Sequence, residues 1–405
     1  MNVIRPNVDM MEALRLTRQG RLQEAMAVLR GESPGNAAVD ERKEEAATST
    51  ALDLVPPSCE TGNAWTLPGS GTAPDTTTRH DEIMVTRPSL RGGWFDRLRA
   101  LNGEFGGAAG CRLRSPAVDL PPGATFEDRV YANEAGSRSY KLYVPASYTG
   151  EPLPLVVMLH GCTQSPDDFA AGTRMNDCAE EHTFLVAYPQ QPASANPSRC
   201  WNWFNGSEQQ RGHGEPSLIA GITQQIMRDF PVARGRVYVA GLSAGGAAAA
   251  TMGVTYPDLY AAIGVHSGLA CGAARDLPSA FAAMRQGGGG ALSACGRSAI
   301  VPTIAFHGDA DQTVNPVNGD QVIAQATPAA SLQTTVVRGK ADGGVSYMRT
   351  IQSDGTGRSM LEQWVLHGVG HAWSGGSSAG SYTDPRGPDA SREMVRFFLQ
   401  HSTAT

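Results

Sequence analysis

One pentapeptide carries the clearest chemical signal: Gly241-Leu242-Ser243-Ala244-Gly245, between an apolar run at 237–240 and the small residues of 246–250. A serine with glycine two positions to either side, at a strand-to-helix turn, is the arrangement that exposes a nucleophilic hydroxyl. The turn is strained, so the hydroxyl projects above the sheet, and the glycines leave space where strand and helix nearly touch. The pentapeptide alone says little, because Gly, Ser and Ala are common in this chain; the strand before it and the helix after it give it meaning. The chemistry is attack by Ser243 on a carbonyl. Such attack needs a base, an acid behind the base, and donors for the oxyanion.

In sites of this kind the chain order is serine, acid, histidine. Of the nine histidines, His266, His307, His367, His371 and His401 follow Ser243. His266 follows too closely, at the end of the next strand, His307 closes another, and His401 sits by the chain end. The segment Leu366-His367-Gly368-Val369-Gly370-His371 leaves two. His367 reads as the end of a strand and His371 as the loop beyond it, so His371 is the expected base. The acid is expected after the strand before, where His307-Gly308-Asp309-Ala310-Asp311 offers two carboxylates. Asp311 lies further out and can turn back to His371, whereas Asp309 is expected to cap its loop through its own backbone. The expected oxyanion donors are the amides of Ala244 and of Cys162, the latter in the loop His160-Gly161-Cys162-Thr163-Gln164 after an early strand. His160 is expected to brace that loop by hydrogen bonding.

The elements that must position these residues follow from periodicity. Apolar or alternating runs at 140–144, 153–159, 184–188, 237–240, 260–265, 300–306 and 363–366 read as strands. Helical patterns lie between them, as at 217–230 after the start signals Glu215 and Pro216, and a last helix is expected over about 388–400. Alternation of this kind implies an α/β fold, a mostly parallel sheet with helices on both faces. The organisation expected is a helical hairpin at 1–31, a low-complexity and largely disordered linker at 32–125, and a catalytic domain at 126–405.

Composition narrows the partners. The 405 residues carry a net charge of −6, which speaks against a nucleic-acid partner. No apolar stretch is long enough for a transmembrane helix. Seven cysteines without a C-x-x-C pair match no zinc site and no disulfide framework. The opening MNVIRPNVDMMEALRLTRQG holds no apolar core of about 7–15 residues, so no secretory signal is expected and the chain reads as cytoplasmic.

Five segments occur together and in order: Leu159-His-Gly-Cys-Thr-Gln164, Cys200-Trp-Asn-Trp203, the 241–245 pentapeptide, His307-Gly-Asp-Ala-Asp311 and His371-Ala-Trp-Ser-Gly-Gly376. Over roughly 126–400 the chain thereby resembles the polyhydroxybutyrate depolymerase family of esterases, to which feruloyl and acetylxylan esterases are related. The resemblance implies an α/β-hydrolase fold, a triad of Ser243, Asp311 and His371, and neither metal nor organic cofactor. It also places Cys162 and Cys200 close enough to pair. Aromatics beside such a site can wall an acyl pocket, the role expected of Trp201, Trp203 and Trp373, with core packing as the alternative. The implied substrate is a polyhydroxyalkanoate polymer, granule or oligomer. A feruloyl, acetylxylan or general short-chain ester is the alternative, and a non-catalytic binding protein on the same fold is a distant one. Members of the family are often extracellular and carry a signal peptide, from which this sequence departs. Oligomeric state is not legible.

Overall fold

The run Leu-Pro-Leu-Val-Val-Met-Leu is buried at every position as β3 (Leu153–Leu159), as a strand covered on both faces must be. The computed structural model describes residues 120–288, 301–327 and 331–403. The expected hairpin at 1–31 and the linker up to residue 119 lie outside the described residues. The other strands of the main sheet are β1 (Thr125–Asn133), β2 (Gly136–Val144), β4 (Leu185–Pro189), β5 (Val232–Leu242), β6 (Ala262–His266), β7 (Thr303–Gly308), β8 (Gln333–Lys340), β9 (Ser346–Ser353) and β10 (Ser359–Leu366). They form one ten-stranded sheet in the order β1-β2-β4-β3-β5-β6-β7-β10-β9-β8. The strands from β4 to β10 in that order run parallel, and an antiparallel hairpin closes each side, β1 with β2 and β8 with β9.

Alternate residues of the parallel strands face two separate cores. Leu155, Val157, Leu159, Val237 and Val239 point to one, with α3 (Gly214–Asp229), α4 (Ala244–Thr255), α5 (Leu277–Gln286) and α6 (Val317–Ala326) packed over them. Val156, Met158, Tyr238 and Ala240 point to the other, under α1 (Pro166–Thr173), α2 (Met175–His182) and α7 (Ala390–Phe398). Each fully buried Val or Leu in these layers contributes about 1.5–3 kcal/mol. This is the mostly parallel sheet with helices on both faces that the sequence implied.

Register brings the functional ends together. Leu159 pairs with Gly241, Leu242 with His266, His266 with Phe306, and Leu366 with Gly308. The carboxyl ends of β3, β5, β6, β7 and β10 therefore finish level, and the segments that follow them emerge on one edge, where ligands bind in open parallel sheets. A small parallel pair, β11 (Trp373–Ser374) and β12 (Thr383–Asp384), folds over this edge.

Candidate active site

Ser243 sits between β5 and α4 at φ 58°, ψ −119°, a conformation costly for a residue with a Cβ. Its N–H donates to the His266 carbonyl at 2.9 Å. The flanking glycines are dictated by space. A Cβ at Gly241 would overlap the Gly245 backbone, and one at Gly245 would overlap the Leu159 carbonyl. The strained turn and its crossing with β3 thus exist only with glycine at both positions.

Asp311 leaves the end of β7 and is almost fully buried. Its Oδ1 accepts the N–H groups of Thr313 and Val314, each at 2.9 Å. Its Oδ2 accepts His371 Nδ1 at 2.7 Å and lies 3.4 Å from His307 Nε2. Burial alone would raise this carboxyl's pKa; the hydrogen bonds from His307 and His371 outweigh it and hold the group well below the usual carboxylate range. With Nδ1 engaged by Asp311, His371 has Nε2 left for proton exchange.

A second pair lies beside the first. Asp309 Oδ2 meets His367 Nδ1 at 2.8 Å, and Asp309 Oδ1 accepts the Gly368 N–H at 2.7 Å. Asp309 was expected to cap its own loop; it bonds its own backbone and also pins the neighbouring loop, because β10 ends level with β7 and presents His367 and Gly368 to it. Both members are about half exposed, 42% and 45% by side chain.

The loop after β3 passes Ser243 closely: a Cβ on Gly161 would lie 3.6 Å from the Ser243 Cβ. Gln164 shapes this loop, its Oε1 accepting Gly161 N–H at 2.9 Å and its Nε2 donating to Asp168 and to the Ser381 carbonyl. Cys162 and Cys200 form a disulfide with Cα atoms 4.2 Å apart. Ala244 opens α4, where the first amides have no acceptor within the helix. His160 accepts Gln191 N–H on Nε2 and donates from Nδ1 to Gly161 carbonyl, and burial pushes it down to about 4. It stays neutral and braces the loop, as the sequence suggested. His266 is likewise neutral, pushed down by burial to about 3, and accepts the Ser374 N–H.

The tryptophans do not wall a pocket. Trp201 and Trp373 are 0% and 1% exposed, so they offer a substrate no surface. Trp201 donates Nε1 to the His160 carbonyl and packs on that ring; Trp373 donates to Ser391 and packs on Phe169 and His266. Trp203 is buried beside Phe204. Their place after reactive-looking residues suggested contact with substrate; in the fold they are supports from beneath.

Sequence reasoning also passed over a buried polar network behind the loop after β3. Glu215, read only as a helix start, accepts Asn202 N–H and Nδ2 and Gln191 Nε2. Arg138 completes it through Gln191 and Glu215. This network fixes the segment that carries Cys200 and Trp201. The local sequence gives no signal of this pairing: Arg211, four positions before Glu215, pairs with Asp258 instead, and the partners of Glu215 come from distant segments.

Among the described residues no cluster of three or more His, Cys, Asp or Glu could hold a metal ion, and no helix is long and apolar enough to cross a membrane.

Comparison with known proteins adds to this geometry. A family model described as Esterase PHB depolymerase matches residues 138–352. The chain is 32% identical over 228 residues to a poly(3-hydroxyalkanoate) depolymerase C of Paucimonas lemoignei, covering 54% of this chain and 54% of that relative. It thus spans about half the length of that relative. A feruloyl esterase B of Thermothelomyces thermophilus is 27% identical over 247 residues, which cover 57% of this chain and 82% of that protein. An acetyl xylan esterase from Aspergillus awamori shares the fold, with a TM-score of 0.55 and 21% identity over 68% of this chain and 99% of that one.

Proposed function

The chain belongs to the esterase PHB depolymerase family, and from that premise we propose that it is a serine esterase in which Ser243, His371 and Asp311 act as one triad. The observation that carries this reading is the buried Asp311–His371 hydrogen bond of 2.7 Å, on the same sheet edge as a serine held at φ 58°.

In the proposed reaction His371 Nε2 takes the Ser243 proton as Oγ attacks the ester carbonyl. Asp311 fixes the tautomer with the proton on Nδ1 and stabilises the imidazolium that forms. The Cys162 and Ala244 amides receive the oxyanion. His371 then returns its proton to the leaving alcohol, and the acyl-Ser243 bond remains. A water attacks that bond with the same base and the same donors, releasing the acid and restoring Ser243.

The substrate class proposed is a short-chain polyhydroxyalkanoate, as polymer or oligomer, supported by the depolymerase relative. A feruloyl-type ester is the second reading, favoured by the larger share of that relative's length that is matched. A panel of hydroxybutyrate oligomers, amorphous polymer, methyl ferulate and acetylated xylan separates them. The expected result is fastest turnover of the oligomers. Labelling by a fluorophosphonate, abolished in Ser243→Ala, tests the nucleophile; an unlabelled wild-type chain would sink the esterase reading.

A further inference from the structure

Tyr382 combines features that packing does not call for. It is an aromatic residue 48% exposed to solvent, and its φ is 53°, in the left-handed region where a bulky side chain is strained. Strain of this kind persists where the surroundings over-determine it, and it concentrates at ligand contacts.

The surroundings are unusually well fixed. Ser381, the residue before it, gives its N–H to Asp168 Oδ1 at 2.9 Å and accepts from Gln164 on its carbonyl at 3.1 Å. The Tyr382 carbonyl accepts Trp373 N–H at 2.7 Å, beyond the loop that holds His371. The Tyr382 hydroxyl reaches Thr163 Oγ1 at 3.3 Å, and Thr163 follows Cys162 directly. Tyr382 therefore stands between the loop after β3 and the segment after His371, touching the former only through one long, exposed hydroxyl contact. Its backbone is clamped while its ring is left open to water, although an apolar ring gains nothing by standing in solvent.

We propose that the Tyr382 ring is a substrate platform at the mouth of the site, holding the apolar chain of the ester beyond the scissile carbonyl. The proposal rests on the esterase reading and adds a residue that sets which chain lengths are favoured. A flat ring beside the oxyanion loop offers contact to an extended aliphatic chain or to an aromatic acid, and substrates of both kinds tell the two apart. A small ester such as methyl acetate has no chain to reach it.

The test compares Tyr382→Ala, Tyr382→Phe and wild type on methyl acetate, a hydroxybutyrate trimer and methyl ferulate, with melting temperatures as a check on folding. In Tyr382→Ala, kcat/KM for at least one long ester should fall by about tenfold, the size of one lost aromatic contact. Methyl acetate should hold within about twofold, and Tyr382→Phe should stay near wild type on every substrate, because the ring is kept. Loss on the trimer alone assigns the platform to aliphatic chains, and loss on the ferulate alone to aromatic ones. A parallel fall on methyl acetate, an equal fall in Tyr382→Phe, or no change on either long ester overturns the platform. So does a wild type that cleaves neither long ester. Ser243→Ala isolates the underlying reading: if that variant still cleaves methyl acetate, the esterase site is misassigned whatever Tyr382 does.

Discussion

At the scale of single residues, two Asp–His pairs stand side by side and differ by only 0.1 Å in their contact distance, 2.7 Å for Asp311–His371 and 2.8 Å for Asp309–His367. Distance does not tell them apart; surroundings do. Asp311 is buried with both oxygens engaged, so its charge acts on His371 with little screening, whereas the Asp309 pair stands half in water. Ser243→Ala and His371→Ala should each lower kcat by about four to six orders of magnitude, as members of a unit do. Asp311→Asn should cost roughly 10⁴ through the wrong tautomer. Asp309→Asn should cost far less, since it frees a loop anchor and leaves the buried pair intact. Steady-state kinetics on one soluble ester decides this, and an active Asp311→Asn beside a dead Asp309→Asn would reverse the assignment. Linkage for Asp311 runs one way: its pKa is depressed on folding, so its stabilisation is complete above the ordinary aspartate range and is lost only as pH falls below that range.

At the scale of elements, the disulfide joins the loop that carries one proposed oxyanion donor to the segment braced by Glu215. Closing a separation of 38 residues is worth about 4 kcal/mol in the chain-entropy account. The Cys162→Ser, Cys200→Ser double variant should therefore melt earlier and turn over small esters more slowly. Non-reduced peptide mass spectrometry should find the cross-link in the native chain; two free thiols there would refute it. The elements that position the site were largely legible. The run at 153–159 matches β3, and 237–240 is the buried half of β5. What was missed has physical reasons. In β8, Gln-Thr-Thr-Val-Val-Arg-Gly-Lys is exposed on nearly every residue, so no face alternates, and β9 is half-covered along its length. β9 exists because β10 offers it an edge and β8 because β9 does in turn, which no local pattern records. The helices α1 and α2 are eight residues each, too short for a clear stripe. Within the site, motif order pointed to Ser243, Asp311 and His371, which are local signals. The tryptophan roles were misjudged because burial depends on residues far away in the chain: Trp373 is covered by Phe169 and Ser391.

At the scale of the whole molecule, three buried histidines govern behaviour in acid. Burial pushes His160 to about 4, His266 to about 3 and His401 to about 4. The unfolded chain takes up these protons once pH falls below about 6.5, and the folded chain does not. Stability is therefore complete above that value and is lost as pH falls towards 4, by on the order of 2 kcal/mol for each ring near pH 4.5. The melting temperature should drop steadily across this window; a flat profile would mean that the rings reach water. Every proposed site residue lies beyond 126, so deleting residues 1–115 should leave turnover of a soluble ester within about threefold, while a polymer surface loses turnover if that region tethers the enzyme. Equal loss of both activities, with a lower melting temperature, would assign the region to stability instead. From β3 through β5, β6 and β7 to β10, spatial order follows chain order, so the pieces of the site arrive in sequence as the polypeptide is made. Ser243 and its elbow leave the ribosome well before His371, whose loop can take its place only after β10 has found β7. A partly synthesised chain thus carries Ser243 without its proposed base. On the proposed triad it should stay silent until the last parallel strand of the main sheet docks, and the appearance of esterase activity during synthesis or refolding should report the closing of that strand pair.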